Sequence, residues 1–175
     1  CVFKQNLKGL GSNGGGEYLT QYGSFIYDNV IIRGNSANNG AAIQATSISN
    51  VITYNCEITG NINISSGNES YVVVGGDYTR FNLNNTLIAD NIGGAILIQN
   101  TGDQYSYTTL NGVTVTGNIS ENGAASGIKI TSPDPDGYTN ISNSIIYGNG
   151  DSTQIFIDSG TWFNNADANP TLNIE

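Results

Sequence analysis

Two aspartates stand at the spacing with which a calcium-binding loop begins. Asp134 and Asp136 alternate with Pro135 and are followed by Gly137, so the segment offers two carboxylates and a residue suited to a sharp turn. The later acidic ligands of a full calcium loop are missing, and Pro-Asp-Gly is equally a sequence of type I and type II turns. Calcium is the one cofactor that the sequence suggests, with a plain turn as the alternative.

Acid–base catalysis has few candidate residues in this chain. Histidine is absent, which excludes a triad with a histidine base. Asp77 and Asp103 fall in the variable connections of adjacent repeats, where two carboxylates could flank one glycosidic bond, but solvated loop carboxylates explain them as well. The basic residues are spread along the chain without forming a cluster: Lys4, Lys8, Arg33, Arg80 and Lys129. We therefore predict no catalytic residue.

Four tyrosines are candidates for contact with sugars or with another protein. We expect all four to lie in the longer loops between repeats, and an exposed tyrosine offers both an apolar ring and a polar tip. The four are Tyr78, Tyr105, Tyr107 and Tyr138. Packing over the flank of the fold is the alternative interpretation.

Covalent attachment of sugar is a separate prediction. Five Asn-x-Ser/Thr sequons occur, and a chain so rich in these residues produces some by chance. Four are candidate N-glycosylation sites in loops or on outward positions: Asn63, Asn68, Asn84 and Asn140. The fifth, Asn118, falls at a position that we expect to be buried.

A repeated motif positions all of these residues. Its form is Asn, a small or apolar residue, a variable residue, an aliphatic residue, a variable residue, then Gly-Asn or Asp-Asn. The closing asparagines are Asn6, Asn35, Asn61, Asn91, Asn118 and Asn149, so the steps are 29, 26, 30, 27 and 31 residues. A motif that returns at nearly constant intervals of this length indicates a solenoid.

Each repeat contains three short segments in which apolar residues alternate with polar ones, which is the pattern of a strand with one buried face. Asn-Asn and Asn-Gly pairs between the segments suit tight corners. We therefore predict an all-β, right-handed parallel β-helix of about six coils, each of three short strands. An antiparallel sandwich is the competing fold. The coils occupy residues 1–157 of a single domain, and 158–175, which include Trp162, form an irregular C-terminal cap; the sharper alternative for Trp162 is a substrate platform.

Stacked coils would bring equivalent side chains together. The closing asparagines are predicted to form a ladder in which each amide donates to one neighbour and accepts from the other. Cys1 and Cys56 share one repeat position two coils apart, which exceeds the reach of a disulfide, so we predict two buried free thiols. Connection lengths vary at one corner only, between the third strand and the first strand of the next repeat, which predicts a partner-facing side there.

The net charge of the chain argues against two classes of binding partner. The net charge of −9, with five basic residues, argues against binding to nucleic acid or to an anionic membrane surface. No apolar run is long enough to span a bilayer. Because the sequence opens inside a repeat, we expect further N-terminal chain in the natural protein.

The motifs resemble those of chlamydial polymorphic outer membrane proteins and related surface β-helices, whose repeats carry Phe-x-x-Asn and Gly-Gly-Ala-Ile sequences. Phe3 to Asn6 matches the first motif, and later copies have an aliphatic residue in place of Phe. Gly93 to Ile96 matches the second, and Gly40 to Ile43 is close to it. The segments 143–149, 154–157 and 166–170 are similar to the last coils of secreted, adhesin-like β-helix proteins.

The resemblance implies a secreted or cell-surface location and a structural or adhesive module with host, cell-surface or self contacts, including filaments. Because the same coil also carries pectin-lyase-type enzymes, a polysaccharide lyase or hydrolase is the alternative, and fold alone does not decide between them. A glycan-binding module that uses the loop tyrosines is the second alternative.

Overall fold

The computed structural model describes residues 1–4, 17–20, 23–46, 48–65, 70–76, 78–99, 107–120, 125–131, 138–150, 153–158 and 171–174. At residues 2–4, 17–20, 138, 158 and 171–174 the structure describes the backbone alone. The regular structure in these ranges is β-strand, and they contain no helix with the length and apolarity to cross a membrane.

The strands are short and follow one another with few described residues between them. In chain order they are β1 (Val2–Lys4), β2 (Glu17–Thr20), β3 (Ser24–Asp28), β4 (Ile31–Arg33), β5 (Ser36–Ala37), β6 (Ile43–Thr46), β7 (Asn50–Tyr54), β8 (Glu57–Thr59), β9 (Ile62–Asn63), β10 (Tyr71–Gly75), β11 (Arg80–Asn84), β12 (Leu87–Ala89), β13 (Gly94–Gln99), β14 (Tyr107–Asn111), β15 (Thr114–Thr116), β16 (Ile128–Thr131), β17 (Tyr138–Ser142), β18 (Ile145–Ile146), β19 (Ile155–Asp158) and β20 (Thr171–Ile174).

Three parallel sheets run along the stack, and each successive repeat adds one strand to each. Sheet 1 has the order β1-β4-β8-β12-β15-β18, sheet 2 the order β2-β6-β10-β13-β16-β19 and sheet 3 the order β3-β7-β11-β14-β17-β20. The predicted parallel β-solenoid is confirmed. It has about four turns instead of the six predicted.

Register places equivalent repeat positions on top of one another. In sheet 1, Ile58 pairs with Ile32 on one side and Ile88 on the other, and Ile88 also pairs with Val115. These four side chains are almost completely buried and belong to one continuous core. No single coil could bury such a face alone, so the core depends on stacking.

Sheet 2 faces the core with one side and is covered on the other. Ile128 and Ile130 are buried inward and Lys129 between them is half-buried, as the sequence predicts. Its outward neighbours Leu97 and Val74 are nevertheless buried, in a second small cluster with Tyr71. The register of β2, which the sequence left open, pairs Glu17 with Ile43.

Two corners of each coil are left-handed. The residue six before each closing asparagine has positive φ in every described coil: Asn29, Asn55, Asn85, Gly112 and Asn143. The residue just before the asparagine does too: Gly34, Gly60, Asp90, Gly117 and Gly148. Glycine, and to a lesser extent Asn and Asp, accept this conformation. Local backbone geometry therefore explains Asp90 without a bound cation.

At the second corner, two glycines allow the energetic cost of a left-handed backbone to be measured apart from that of steric crowding. Gly60 and Gly117 have φ of 60° and 66°. A methyl group on Gly60 would meet nothing within 4 Å, whereas one on Gly117 would collide with the Asp90 carboxylate. Gly60→Ala is expected to lower the free energy of unfolding by about 1 kcal/mol, the cost of the left-handed backbone, and Gly117→Ala by more.

Urea unfolding of both variants measures these costs. Repeating Gly117→Ala in an Asp90→Gly background should bring its cost down to that of Gly60→Ala. An equal cost for the two single variants would contradict the proposed crowding.

Three features of the fold differ from the prediction. A fourth, very short parallel ladder follows the closing asparagines: β5 pairs with β9, and bridges join Ile62 to Ile92 and Ile92 to Ile119. Connection length also varies at this corner, because the closing Asn precedes the register-equivalent residue of sheet 2 by 8, 12, 5, 10 and 6 residues. Alternation could not reveal either feature, since one-residue bridges carry no period. Finally, β20 adds a regular strand within the predicted irregular cap.

The cysteines also differ from each other. Both are free, as predicted, and Cys56 is buried in the core. Cys1 is exposed, so the prediction of two buried thiols is wrong for it. The reason is position: Cys1 precedes the edge strand β1, which has a neighbouring strand on one side only.

Candidate functional site

The best-defined polar arrangement is the column of closing asparagines. Five of them, Asn35, Asn61, Asn91, Asn118 and Asn149, are between 0% and 6% exposed. Asn6 lies outside the described residues. A buried amide needs partners for its carbonyl oxygen and for its amino group, and the left-handed residue before each asparagine turns the side chain inward to find them on the adjacent coils.

Each link repeats the same three hydrogen bonds. Asn61 donates to Asn91 Oδ1 from its backbone N–H at 2.8 Å and from Nδ2 at 3.1 Å. Asn91 Nδ2 donates back to the carbonyl oxygen of Ile58 at 3.1 Å. Equivalent bonds join Asn91 to Asn118 and Asn118 to Asn149. The predicted asparagine ladder is confirmed from Asn35 to Asn149, and it joins coils by side chains as well as by backbone.

A glutamine closes the ladder. Gln154 Oε1 accepts from the Asn149 backbone N–H at 3.2 Å and from Asn149 Nδ2 at 2.8 Å, the two bonds that a further closing asparagine would accept. Gln154 lies five residues downstream in the same coil. Sequence reasoning missed it because no other repeat has an amide at the equivalent position, and the only signal was an amide side chain just before the last strand of sheet 2.

Removing this cap should loosen the end of the ladder. Gln154→Ala leaves two donors of Asn149 without their acceptor, which is expected to cost about 1–2 kcal/mol at this partly buried end. Hydrogen exchange at the Asn149 amide should become faster, while exchange at Asn91 should stay unchanged. Unchanged exchange at Asn149 would show that Gln154 does not close the ladder.

The outer face of sheet 3 gathers the residues best suited to meet a ligand. The Arg80 guanidinium carbon lies 5.3 Å from the centroid of the Tyr107 ring, on the next strand. Arg80 is exposed and Tyr107 is half-buried. The alternating pattern also turns Asn82, Thr109 and Asn140 outward, half-buried and on successive strands. The face is thus a flat array of amide, hydroxyl, aromatic and cationic groups.

One corner beside this face is strained. Ile48 and Tyr78 each lie two residues before the register pair Asn50 and Arg80, and both have positive φ, 64° and 59°. A β-branched residue in this conformation is a genuine outlier. Ile48 is 43% exposed, so the corner holds its side chain toward solvent.

The four predicted glycan-contact tyrosines are only partly placed. Tyr107 is on the outer face of sheet 3, and Tyr78 is at the corner that precedes Arg80. Tyr138 is the first residue of β17 and pairs in register with Tyr107, but the structure describes only its backbone. Tyr105 lies outside the described residues.

The aspartates predicted as candidate metal ligands or catalytic groups cannot be placed. Asp134, Asp136, Asp77 and Asp103 lie outside the described residues. Within the described ranges, no group of three or more His, Cys, Asp or Glu side chains could hold a metal ion. Arg80 and Lys129 lie on different sheets, β11 of sheet 3 and β16 of sheet 2.

The sequons fall in different environments. The sequence predicts that Asn63 lies in a loop, but the structure places it in β9, where it is buried. Its Nδ2 donates to the Tyr71 carbonyl oxygen at 2.9 Å, so the folded position leaves no room for a sugar. Asn84 is half-buried and donates to the carbonyl oxygens of Thr53 and Asn82. Asn140 points outward, the buried Asn118 serves the ladder, and Asn68 lies outside the described residues.

Comparison with protein-family models, with curated proteins and with solved structures finds no match for this chain.

Proposed function

We propose that this chain is a rigid, non-catalytic solenoid module of a secreted or cell-surface protein, serving as a rod or binding scaffold. The observation that carries the proposal is the continuous ladder of buried amides from Asn35 to Asn149, closed by Gln154, which ties five successive coils together. Such links suit a part whose task is to keep its length and to present side chains at fixed spacing. The motif resemblance to surface β-helices supports the same role.

Rigidity is tested by native-state hydrogen exchange. The backbone N–H groups of Asn61, Asn91 and Asn118 are expected to exchange only by opening of large parts of the stack, and therefore at similar slow rates. Rates that differ by orders of magnitude between adjacent coils would contradict a rod.

The non-catalytic assignment is tested with polysaccharides. Purified protein is incubated with pectate, alginate and neutral glucans, and new reducing ends and unsaturated products are measured. No cleavage is expected. Cleavage that disappears in Arg80→Ala or Lys129→Ala would overturn the proposal and establish the lyase or hydrolase alternative.

Glycan binding is the second candidate, and the outer face of sheet 3 favours it. Tyr107 with Arg80 offers a ring and a cation for the face and substituents of a sugar, and Asn82 and Thr109 offer hydrogen bonds one strand apart. Retention on a glycan array should be lost in Tyr107→Ala combined with Asn82→Ala. Tyr147→Ala is the control, because Tyr147 is 76% exposed but follows a strand of sheet 1. Absence of binding to any glycan would remove this candidate.

A further inference from the structure

A glutamine occupies an unexpected place on the covered side of sheet 2. Gln44 projects from the outer side of β6 in register with Val74, which in turn pairs with Leu97. Val74 and Leu97 are buried apolar side chains, and Gln44 is itself only 5% exposed. Its side-chain oxygen is buried and has no hydrogen-bond partner in the described part of the chain. A buried amide of this kind is costly unless something satisfies it.

Two further amide oxygens, on the turn that leads into β6, are in the same condition. Asn38 Oδ1 and Asn39 Oδ1 are buried and make no hydrogen bond with described residues. The next residue, Gly40, has φ of 56°, and a Cβ built on it would lie 2.5 Å from Gln44 Cβ. Consecutive Cα atoms are about 3.8 Å apart, so the Asn39 backbone lies within about 8 Å of the base of the Gln44 side chain.

The fold holds this turn in place. Gly40 N–H donates to the Tyr71 carbonyl oxygen at 3.1 Å, and Ala42 N–H donates to that of Val72 at 2.9 Å. Ala41 and Ala42 are fully buried, so the turn cannot shift outward without opening the core. Left-handed Gly40 has no space for a larger residue, and the two asparagines are thereby kept beside β6.

From this geometry we propose a cation-binding site formed by the side-chain oxygens of Asn38, Asn39 and Gln44. The three buried oxygens are acceptors, so whatever satisfies them must bring hydrogen-bond donors or positive charge. One water molecule can donate only two hydrogen bonds, whereas a hard cation takes several neutral carbonyl oxygens together with water. The net charge of −9 raises the local concentration of cations around the chain. Calcium and sodium share this ligand chemistry and are separated by experiment.

The first experiment measures thermal stability in protein treated with EGTA. Calcium chloride, sodium chloride and potassium chloride are titrated against choline chloride at equal ionic strength, which accounts for general screening of the acidic chain. A saturable rise in Tm with calcium alone assigns a calcium site, and one with sodium or potassium assigns a monovalent site. No rise beyond that in choline overturns the proposal.

Variants tie the effect to these residues. Gln44→Leu replaces an unpaired amide by an apolar group of similar size, so it should raise Tm in choline and abolish the cation-dependent rise. Gln99→Leu, on β13 of the same sheet, should leave that rise intact. A rise that persists in Gln44→Leu overturns the proposal.

A gain-of-affinity variant decides the question even if Gln44→Leu fails to fold. Asn39 is half-buried, and Asn39→Asp adds a carboxylate at the same position. It is expected to lower the calcium dissociation constant about tenfold or more, because ligand charge sets affinity at such sites. Isothermal titration calorimetry measures this constant. Equal affinity in Asn39→Asp and the unaltered protein overturns the proposal.

Discussion

Asn91→Ala is expected to lower the free energy of unfolding by about 4 kcal/mol, from the loss of three buried hydrogen bonds between adjacent coils. Asn91 Oδ1 accepts two of them, from the backbone N–H and from Nδ2 of Asn61, and only the backbone N–H is left without another acceptor, since Nδ2 also donates to the carbonyl oxygen of Ile32. The carbonyl oxygen of Ile58 also loses its bond to Asn91 Nδ2. Urea unfolding measures the effect. Asn82→Ala, a half-buried outward position on β11, is the control and should change stability by less than about 0.5 kcal/mol.

Asn91→Asp separates geometry from charge at the same position. A carboxylate still accepts from Asn61, but it faces Asn118 Oδ1, the oxygen to which Asn91 Nδ2 donates at 2.7 Å. Burial, together with a second oxygen that meets the acceptor Asn118 Oδ1 instead of a donor, raises the pKa of the introduced carboxyl above its unfolded value of about 3.9. The charge penalty is therefore full at neutral pH and fades as pH falls through the raised folded pKa, where a protonated carboxyl can donate to Asn118.

Stability relative to the unaltered protein should accordingly recover in Asn91→Asp between pH 7 and pH 4, and should not recover in Asn91→Ala. Unfolding curves at both pH values provide the measurement. If the two variants lose the same stability at every pH, the ladder does not impose the donor and acceptor order seen here.

The second large effect is expected in the aliphatic column of sheet 1. Ile88 is completely buried between Ile58 and Val115. Ile88→Ala removes apolar contacts and leaves a cavity, and the expected loss is about 3–4 kcal/mol. Neighbouring coils cannot close the cavity, because the parallel strands on both sides hold their spacing.

Ile145→Ala is the matched control for Ile88→Ala. Ile145 lies on β18 of the same sheet, but it is 62% exposed and points outward. Its loss should change stability by less than about 0.5 kcal/mol. Denaturant midpoints of both variants provide the comparison, and similar midpoints would mean that the inward column is not the core.

The position of each residue within its repeat could be predicted because the same residue types recur at equivalent positions. The positions of Ile58, Ile88 and Val115 in one column, and of Asn61, Asn91 and Asn118 in another, follow from counting back from the closing asparagine. Lys129 between two isoleucines indicated the inward side of its strand, as the structure confirms. The burial of Val74 and Leu97, which face outward on the same sheet, was not predictable, since alternation shows only which side of a strand faces the core.

Sites built across connections were less accessible to prediction. No other repeat has an amide side chain at the positions of Gln154 and Gln44, so periodicity in residue type could not single them out. Their importance comes from what lies beside them: the end of the ladder for Gln154, and the Asn38 to Gly40 turn for Gln44. Similarly, Arg80 and Tyr107 are 27 residues apart, and their contact depends on the coil length between them.

The sequence by itself determined the parallel stack and the asparagine ladder. Both follow from a period in residue type, because a parallel solenoid places equivalent residues on adjacent coils next to one another, where buried amides can pair. The tertiary structure decided how the ladder ends, which outward side chains are covered, and which polar oxygens are left without donors. Those features depend on connections of unequal length, whose paths are set by packing against neighbouring coils and not by any local pattern.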